Sequence, residues 1–443
     1  MARTRISLKI KAPSDNIGSI LEHAQALFEP VCMLTNEGIR KTSSDKRGFD
    51  YLFGIGFTEQ ISPEKVKFDT LNRFSQKSED WIFGYLTYDL KNEIEDLKSN
   101  NPDFVKLPEM HFFHPRLVIA VSGNICTVDY FSYLDSREEV ERTVRSLFSS
   151  EKDKISVPSK ARNFRIDKRI TKETYIDKIN LIKHHIQVGD IYELNFCQEF
   201  YVNDCDISPE QLFQELYESA RMPFSCYYVY KNKYLLCASP ERFLKKTGNK
   251  ILSQPIKGTI KRGKTAREDY ELIRILQNDP KERSENVMIA DLVRNDLSKI
   301  SVRGSTIVKE LCEIYTFPLL HQMISSIETE LRSDIALTEI LKATFPMGSM
   351  TGAPKIRAMQ LIEEIEVSKR GLYSGAVGYI TPEGDFDFNV VIRSYLYNRS
   401  ERYLSFHTGS AITINSDPEQ EYQECLLKGR NLAKLISKET EFI

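Results

Sequence analysis

The sequence predicts an α+β fold with large antiparallel sheets, and three observations predict it. Segments rich in aromatic and β-branched residues arrive in hairpin-like groups; helical patterns separate the groups; the regular strand–helix alternation of a doubly wound parallel sheet is missing. The 443 residues suffice for about three domains, or for one large unit with a divided core. With 41% hydrophobic and 28% charged residues, the chain has ample material for a core, which excludes disorder as its main state.

Residues 81–88 (WIFGYLTY) and 116–121 (RLVIAV) read as strands, and 137–148 (REEVERTVRSLF) as a helix. Residues 149–163 turn polar and rich in Lys and Ser, the best linker candidate. It would separate an N-terminal region, 1–150, that contributes to the sheet core from a catalytic region, 165–443, both within one structural unit. Tyr175, Ile179, Ile182 and Ile186 recur at i, i+4, i+7 and i+11, one helical stripe closed by Gly189-Asp190. Tyr192, Leu194 and Phe196 then alternate as a strand does. Further strands are expected at 226–230, 234–238, 377–381 and 388–397, and helices at about 280–297, 335–343, 354–366 and 418–437.

Composition also excludes function classes. Sixty-one Lys+Arg against 63 Asp+Glu give a net charge of −2, not the basic footprint of a nucleic-acid binder. No run of about 18 apolar residues offers a membrane span. The basic start, MARTRISLKIKAPSDN, lacks the apolar core of a secretory signal. Eight cysteines stand without a Cys-x-x-Cys pair, and Cys197 and Cys226 sit in apolar runs; a reduced, cytoplasmic setting is expected and a structural zinc site is not.

Four segments can carry chemistry. In Ser253-Gln-Pro-Ile-Lys-Gly-Thr-Ile260, Lys257 has apolar neighbours on one side and a glycine on the other. A lysine amine becomes a nucleophile once its pKa falls; the plain alternative is a solvated lysine at a strand end. Asn278-Asp-Pro-Lys-Glu-Arg-Ser-Glu-Asn286 begins a helix with Asp279 as cap, Pro280 at N1 and Glu282 completing a capping box, and Glu285 follows on the same face. Asp417-Pro-Glu-Gln-Glu-Tyr-Gln-Glu424 repeats the design, with Glu421, Glu424 and then Lys428 at i+4. Paired acidic helices suit a hard ion such as Mg²⁺, although capping and solvated charge explain them equally. The loop from Phe345 to Arg357 opens a helix at Pro354 and, like a small-residue turn at His407-Thr-Gly-Ser-Ala411, could present amides to an anion. Among single residues, Glu241 reads as a lone exposed carboxylate or an acid–base group, and His321 as a packed helix histidine or a proton donor. Arg393 would punctuate a β-branched strand, where a guanidinium needs an anionic partner.

Together these residues resemble the chorismate-utilising enzymes, the family of anthranilate synthase, isochorismate synthase and aminodeoxychorismate synthase component I. The resemblance runs from about Lys172 to the end. It rests on Gly189-Asp-Ile-Tyr192, Ser239-Pro-Glu-Arg-Phe243, Pro255-Ile-Lys-Gly-Thr259, the stretch Glu285 to Asp296, Gly352-Ala-Pro-Lys355, Gly375-Ala-Val-Gly-Tyr379, Ile392-Arg393 and Glu421-Tyr-Gln-Glu424. It implies two large antiparallel sheets packed face to face, helices outside, with the active site in the cleft between them.

The resemblance also implies roles. Lysine at 257, where anthranilate and isochorismate synthases carry alanine, implies amination of chorismate to 4-amino-4-deoxychorismate. The Lys257 amine would attack C2 while Glu241 protonates the departing 4-hydroxyl; ammonia would then attack C4 and expel Lys257. Glu285 and Glu424 would coordinate Mg²⁺, with Glu282 and Glu421 holding its water shell. Gly258, Thr259, the amides near Gly409 and Lys428 would grip the C1 carboxylate, and Tyr379 and Arg393 the enolpyruvyl carboxylate. His321 would stand near C4. The metal and these cations would depress the Lys257 pKa and leave its amine uncharged. Glu193 stands where isochorismate formers carry a lysine base, which argues against water as nucleophile, and where amine-using members carry glutamine. Ser410 and Ala411 replace glycines usual in the family, which would tighten the turn. No Gly-x-Cys-x-Gly elbow is present, so ammonia would come from a separate glutamine amidotransferase subunit in a heterodimer. The alternative reading of the same site is anthranilate synthase component I.

Overall fold

The computed structural model describes residues 5–11, 16–36, 48–77, 79–148 and 162–438. The expected linker at 149–163 lies almost wholly outside them. Two antiparallel sheets, of twelve and ten strands among the described residues, form the frame. The first passes from Ile6–Lys11 through Ile125–Tyr130, Leu117–Ser122, Tyr51–Ile55, Val31–Thr35, Phe224–Tyr230, Lys233–Ser239, Ser394–Asn398 and Tyr403–Ile412 to Glu193–Val202. The second passes from Ile256–Lys261 through Leu320–Glu330, Lys250–Gln254, Arg242–Thr247, Phe386–Asn389, Ala376–Ile380 and Ile82–Leu86 to Met110–His114 and Glu59–Ile61.

Strand parity explains why both faces of the first sheet are buried. Along Phe224–Tyr230, Cys226 and Tyr228 enter the core shared with Phe83, Tyr85 and Phe388 of the second sheet, whereas Tyr227 and Val229 enter a second core. Helices cover that second core, contributing Leu21, Val144, Ile179, Leu212, Leu361 and Leu432. The sheets therefore pack face to face, with a helical layer outside the first. The Ala266–Asn278 and Pro280–Ser298 helices lie on the edge of the second sheet, against Ile256–Lys261 and Ile307–Thr316. All eight cysteines are free and buried, and no helix among the described residues is long and apolar enough to cross a membrane.

Two expectations are corrected. The continuous strand expected at 388–397 is two strands in different sheets, Phe386–Asn389 and Ser394–Asn398. The chain steps between the sheets at 390–393, where Val390 and Val391 fill the shared core and Arg393 takes a left-handed φ of 54°. The apolar run reflects burial between layers and not ladder pairing. Likewise His407–Ala411 is no turn: it lies inside Tyr403–Ile412, with Gly409 opposite Cys197. A Cβ at Gly409 would meet the Phe196 carbonyl oxygen at 2.0 Å, so close approach of the neighbouring strand demands glycine there. Ser410 and Ala411 keep ordinary strand backbone and tighten nothing.

Arg370 ties this region together. Its guanidinium, nearly fully buried, forks onto both oxygens of Glu366 at 2.9 and 2.7 Å and donates to the carbonyls of Asn195 and Met350. Glu366 also accepts from the Cys197 amide at 2.9 Å. Removing one member of such a buried pair leaves a charge uncompensated. Glu366→Gln is expected to lower unfolding free energy by about 3–5 kcal/mol, seen as a lower urea midpoint at unchanged slope.

Candidate active site

The site is built where one edge of the second sheet meets the first. Ile256–Lys261 pairs with Leu320–Glu330, and its register shifts between Ile256 and Thr259. Gly258, at φ +91°, makes this irregularity possible, and a side chain there would press on the Glu282 carboxylate. Such a bulge re-aims the neighbouring side chain. Lys257, its side chain only 12% exposed, reaches across to the other sheet, where its Nζ lies 3.2 Å from Oε1 of Glu193. Glu193 opens the Glu193–Val202 strand and is 1% exposed. Asn286 donates to the Lys257 carbonyl at 3.3 Å.

This pairing corrects one expectation. Burial works against the Lys257 ammonium, but Glu193, Glu285 and Glu241 outweigh it and hold its pKa above the ordinary lysine range. The nucleophile candidate is thus a paired cation in this structure and not an uncharged amine.

Glu241 is corrected as well. It joins Lys233–Ser239 to Arg242–Thr247 and is 4% exposed, not a lone surface carboxylate. Ser349 Oγ donates to its Oε1 at 2.6 Å. Burial pushes its pKa up to about 7, against the opposing pull of the Ser349 hydrogen bond, Lys257 and the Ile256 amide. A carboxyl so poised can hold or release a proton near neutrality.

The two acidic helices start where expected. Asp279 accepts from the amides of Lys281 and Glu282, at 2.9 and 3.1 Å, and Asp417 from that of Gln420 at 2.9 Å. The Glu282 carboxylate does not close a capping box; it lies against Gly258, its pKa raised by burial and by Glu424. Burial also raises Glu285 to about 7. Glu424 pairs with Lys428 at 2.7 Å; burial alone would raise its pKa, but Lys428 and Lys281 lower it. Glu421 accepts from Ser416 Oγ at 2.7 Å. Lys281 spans the gap between the helices, its Nζ 3.4 Å from Glu421 and 4.0 Å from both Glu285 and Glu424.

These residues fit a hard divalent ion. Glu285 Oε1 and Glu421 Oε2 are buried without a hydrogen-bond partner, as oxygens awaiting a cation or its water would be. Among the described residues no group of three or more His, Cys, Asp or Glu side chains is gathered to hold a metal ion. Two unpartnered carboxylate oxygens are a donor set that Mg²⁺ accepts, because it takes one or two carboxylates and keeps several waters.

Not every expected residue joins the cluster. Thr259 is exposed at the strand edge, one residue past Gly258. Lys428 spends its ammonium on Glu424 and on the Gly409 carbonyl, at 3.0 Å. Arg393 donates to the Lys428 carbonyl at 2.9 Å and has its pKa lowered by burial, with Tyr373 and Glu424 acting the other way. Tyr379 packs instead in a ring cluster with Phe49, Trp81 and Phe83. Tyr373, which the sequence reading missed, is the tyrosine beside Arg393, and no local signal separates the two. His321 lies on a strand, not a helix, and its ring nitrogens bond to Thr316 and Asp269. Its neighbour Gln322, opposite Thr259, is 4% exposed and keeps Oε1 without a partner. Lys355, at the helix start expected to bind an anion, is paired with Asp296.

Comparison with known proteins agrees with this geometry. Residues 25–434 match the family described as chorismate binding enzyme. Aminodeoxychorismate synthase component 1 of Escherichia coli (strain K12) is 31% identical over 420 residues, covering 93% of this chain and 89% of that protein. Anthranilate synthase component 1 of Aquifex aeolicus (strain VF5) is 32% identical over 367 residues, covering 80% of this chain and 74% of its own. The crystal structure of anthranilate synthase component I from Streptococcus pneumoniae TIGR4 has the same fold, with a TM-score of 0.72 at 22% identity over 96% of this chain and 92% of that one. A match over nearly the whole chain and the Lys257, Glu241 and twin-helix geometry lead to one assignment: this chain belongs to the chorismate binding enzymes.

Proposed function

We propose that this enzyme aminates chorismate at C4 to give 4-amino-4-deoxychorismate. The observation that carries the reading is a largely buried lysine, Lys257, paired with Glu193 and within the electrostatic reach of Glu285 and the protonatable Glu241. Lys257 nitrogen bonds to C2 as the C4–O bond breaks, and Glu241 gives its proton to the departing hydroxyl. Ammonia then bonds to C4, Lys257 leaves C2, and Glu241 recovers a proton from the new ammonium. Dividing one displacement into two through a covalent adduct is the general use of a nucleophilic side chain.

Glu285 and Glu424 would hold Mg²⁺, with Glu282 and Glu421 bonded to its waters. When bound, the ion supplies positive charge opposite the ring carboxylate of the dianionic substrate. Arg393, with Tyr373 beside it, would take the enolpyruvyl carboxylate, the forked contact arginine suits. The chain has no Gly-x-Cys-x-Gly elbow, and the relatives named component 1 support a separate glutamine amidotransferase as the source of ammonia. Relatives named anthranilate synthase component 1 support a second reading, in which ammonia bonds to C2 as the 4-hydroxyl leaves as water and pyruvate is then eliminated.

One experiment separates them. Protein, Mg²⁺ and chorismate without ammonia should yield the Lys257 peptide carrying one substrate-derived mass. With ammonium added, chromatography should show a product that becomes aromatic only when a lyase is supplied. Fluorescent anthranilate formed without a lyase, from an unmodified Lys257 peptide, would establish the second reading.

A further inference from the structure

We propose that the Glu193 carboxylate is the base that takes the Lys257 proton, making Glu193 a catalytic residue of this chain. The inference deepens the amination reading and rests on it. An amine bonds to carbon only through its free lone pair, so the paired ammonium must first lose a proton. Four carboxylates act on Lys257: Glu193 from the first sheet, Glu241 from the neighbouring strand junction, and Glu285 and Glu424 from the two acidic helices. Glu193 alone hydrogen-bonds to Nζ, at 3.2 Å. Glu241 is occupied by Ser349 and must keep its own proton for the leaving hydroxyl. Glu285 and Glu424 act on Lys257 through space and belong to the proposed ion site, and Glu424 is already paired with Lys428.

Burial makes this transfer the economical one. Glu193 is 1% exposed, and its Oε2 has no partner at all. Loss of the Lys257 proton to bulk water would strand a buried carboxylate beside a neutral amine, which is unfavourable. Transfer across the hydrogen bond instead leaves two neutral groups. Substrate filling the cleft removes the remaining water around Lys257 and favours that neutral pair over the ion pair.

The protons balance over a cycle. Glu193 carboxylate and Lys257 ammonium become carboxylic acid and amine. The amine bonds to C2 as the 4-hydroxyl leaves as water with the Glu241 proton. Ammonia bonds to C4, the C2–N bond breaks to release neutral Lys257, and the C4 ammonium returns a proton to Glu241. Glu193 then gives its proton back to Lys257. The sum is chorismate and ammonia to aminodeoxychorismate and water.

The test reads two quantities that a merely electrostatic partner would move together. In the ligand-free full chain, trace acetic anhydride at neutral pH should acetylate Lys257 several-fold faster in Glu193→Gln, because the anion that holds the proton is gone. Adduct formation and turnover with chorismate and Mg²⁺ should nonetheless fall by about 10–100-fold, the range of a lost general base. Glu193→Asp, which keeps an acid, should recover part of that loss, and melting curves should confirm that both variants fold. Unchanged acetylation would show that the pair does not form, and faster acetylation with undiminished turnover would reduce Glu193 to a counter-ion; either overturns the proposal. No adduct even in the unaltered protein would overturn the covalent reading and this inference with it. An adduct formed equally fast in Glu193→Gln would overturn the inference alone.

Discussion

Alanine in place of Lys257 is expected to lower the proposed C4 amination by about 10³-fold or more, the effect of losing a covalent nucleophile. Binding should change less, because the groups proposed for the two substrate carboxylates, Arg393 and the acidic helices with their ion, do not depend on Lys257 for their position. The same change removes the counter-charge of Glu193, a carboxylate 1% exposed. Breaking a buried pair on one side costs about 3–5 kcal/mol, whereas replacing both members costs far less. Lys257→Ala should therefore be both inactive and less stable, and a second change, Glu193→Gln, should restore stability without restoring activity. Steady-state product assays and urea unfolding of the two single variants and the double variant check this, because the coupling energy isolates the pair. Equal stability of Lys257→Ala and the unaltered protein would mean that the ion pair contributes nothing to the fold.

Glutamine in place of Glu241 is expected to cut kcat by about 10²–10⁴-fold while stabilising the fold above neutral pH. The carboxyl titrates at about 7 in the folded protein against an ordinary 4.5. Between these values the folded chain keeps a proton that the unfolded chain has released, so stability falls as pH rises through that window. The loss from this one group amounts to about 3 kcal/mol once pH exceeds 7. Glutamine does not titrate, so the variant should lose that much less stability between pH 5 and pH 8; Glu285, also raised to about 7, continues to contribute in both proteins. The same ionisation would limit the proposed proton donation, since the protonated form of Glu241 is lost above pH 7. Activity of the unaltered protein should decline on the alkaline side. Urea midpoints at pH 5 and pH 8, with a pH–rate profile, measure both effects. A variant that retains activity would remove Glu241 from the role of proton donor.

Local chemistry was the legible part of this chain. The Asp-Pro starts placed two helices within a residue of where they lie, Pro280–Ser298 and Pro418–Ile436, because a cap is decided by neighbours in sequence. The α+β class was legible too, since strand-rich and helix-rich stretches are segregated. Parity was harder. His321 and Gln322 differ by one residue, and a one-residue shift turns a side chain to the opposite face of a sheet; only the register with Thr259 and Ile260 shows which way each points. Tyr373 and Tyr379 flank one glycine-rich stretch, and tertiary packing alone sends the latter to Trp81 and Phe83. The burial of Glu241 is invisible for the same reason, because Ser349 arrives from a short 3-10 helix, Gly348–Met350, far along the chain. Lys257 stands out by its neighbours in Pro-Ile-Lys-Gly-Thr, whereas Glu193 stands out only as a departure from the glutamine usual in the family it resembles. A contact that spans two sheets leaves no periodic trace in either strand.

The sheets also pair early strands with much later ones: Val31–Thr35 lies beside Phe224–Tyr230, and Ile82–Leu86 beside Ala376–Ile380. A polypeptide emerging from the ribosome would present those early strands with open hydrogen-bonding edges until their mates had been synthesised. Distant pairing of this kind is slow to close, and unpaired edges invite foreign strands meanwhile. The architecture that brings a lysine and a glutamate together from opposite layers thus places its greatest hazard in biogenesis, before there is any cleft to protect.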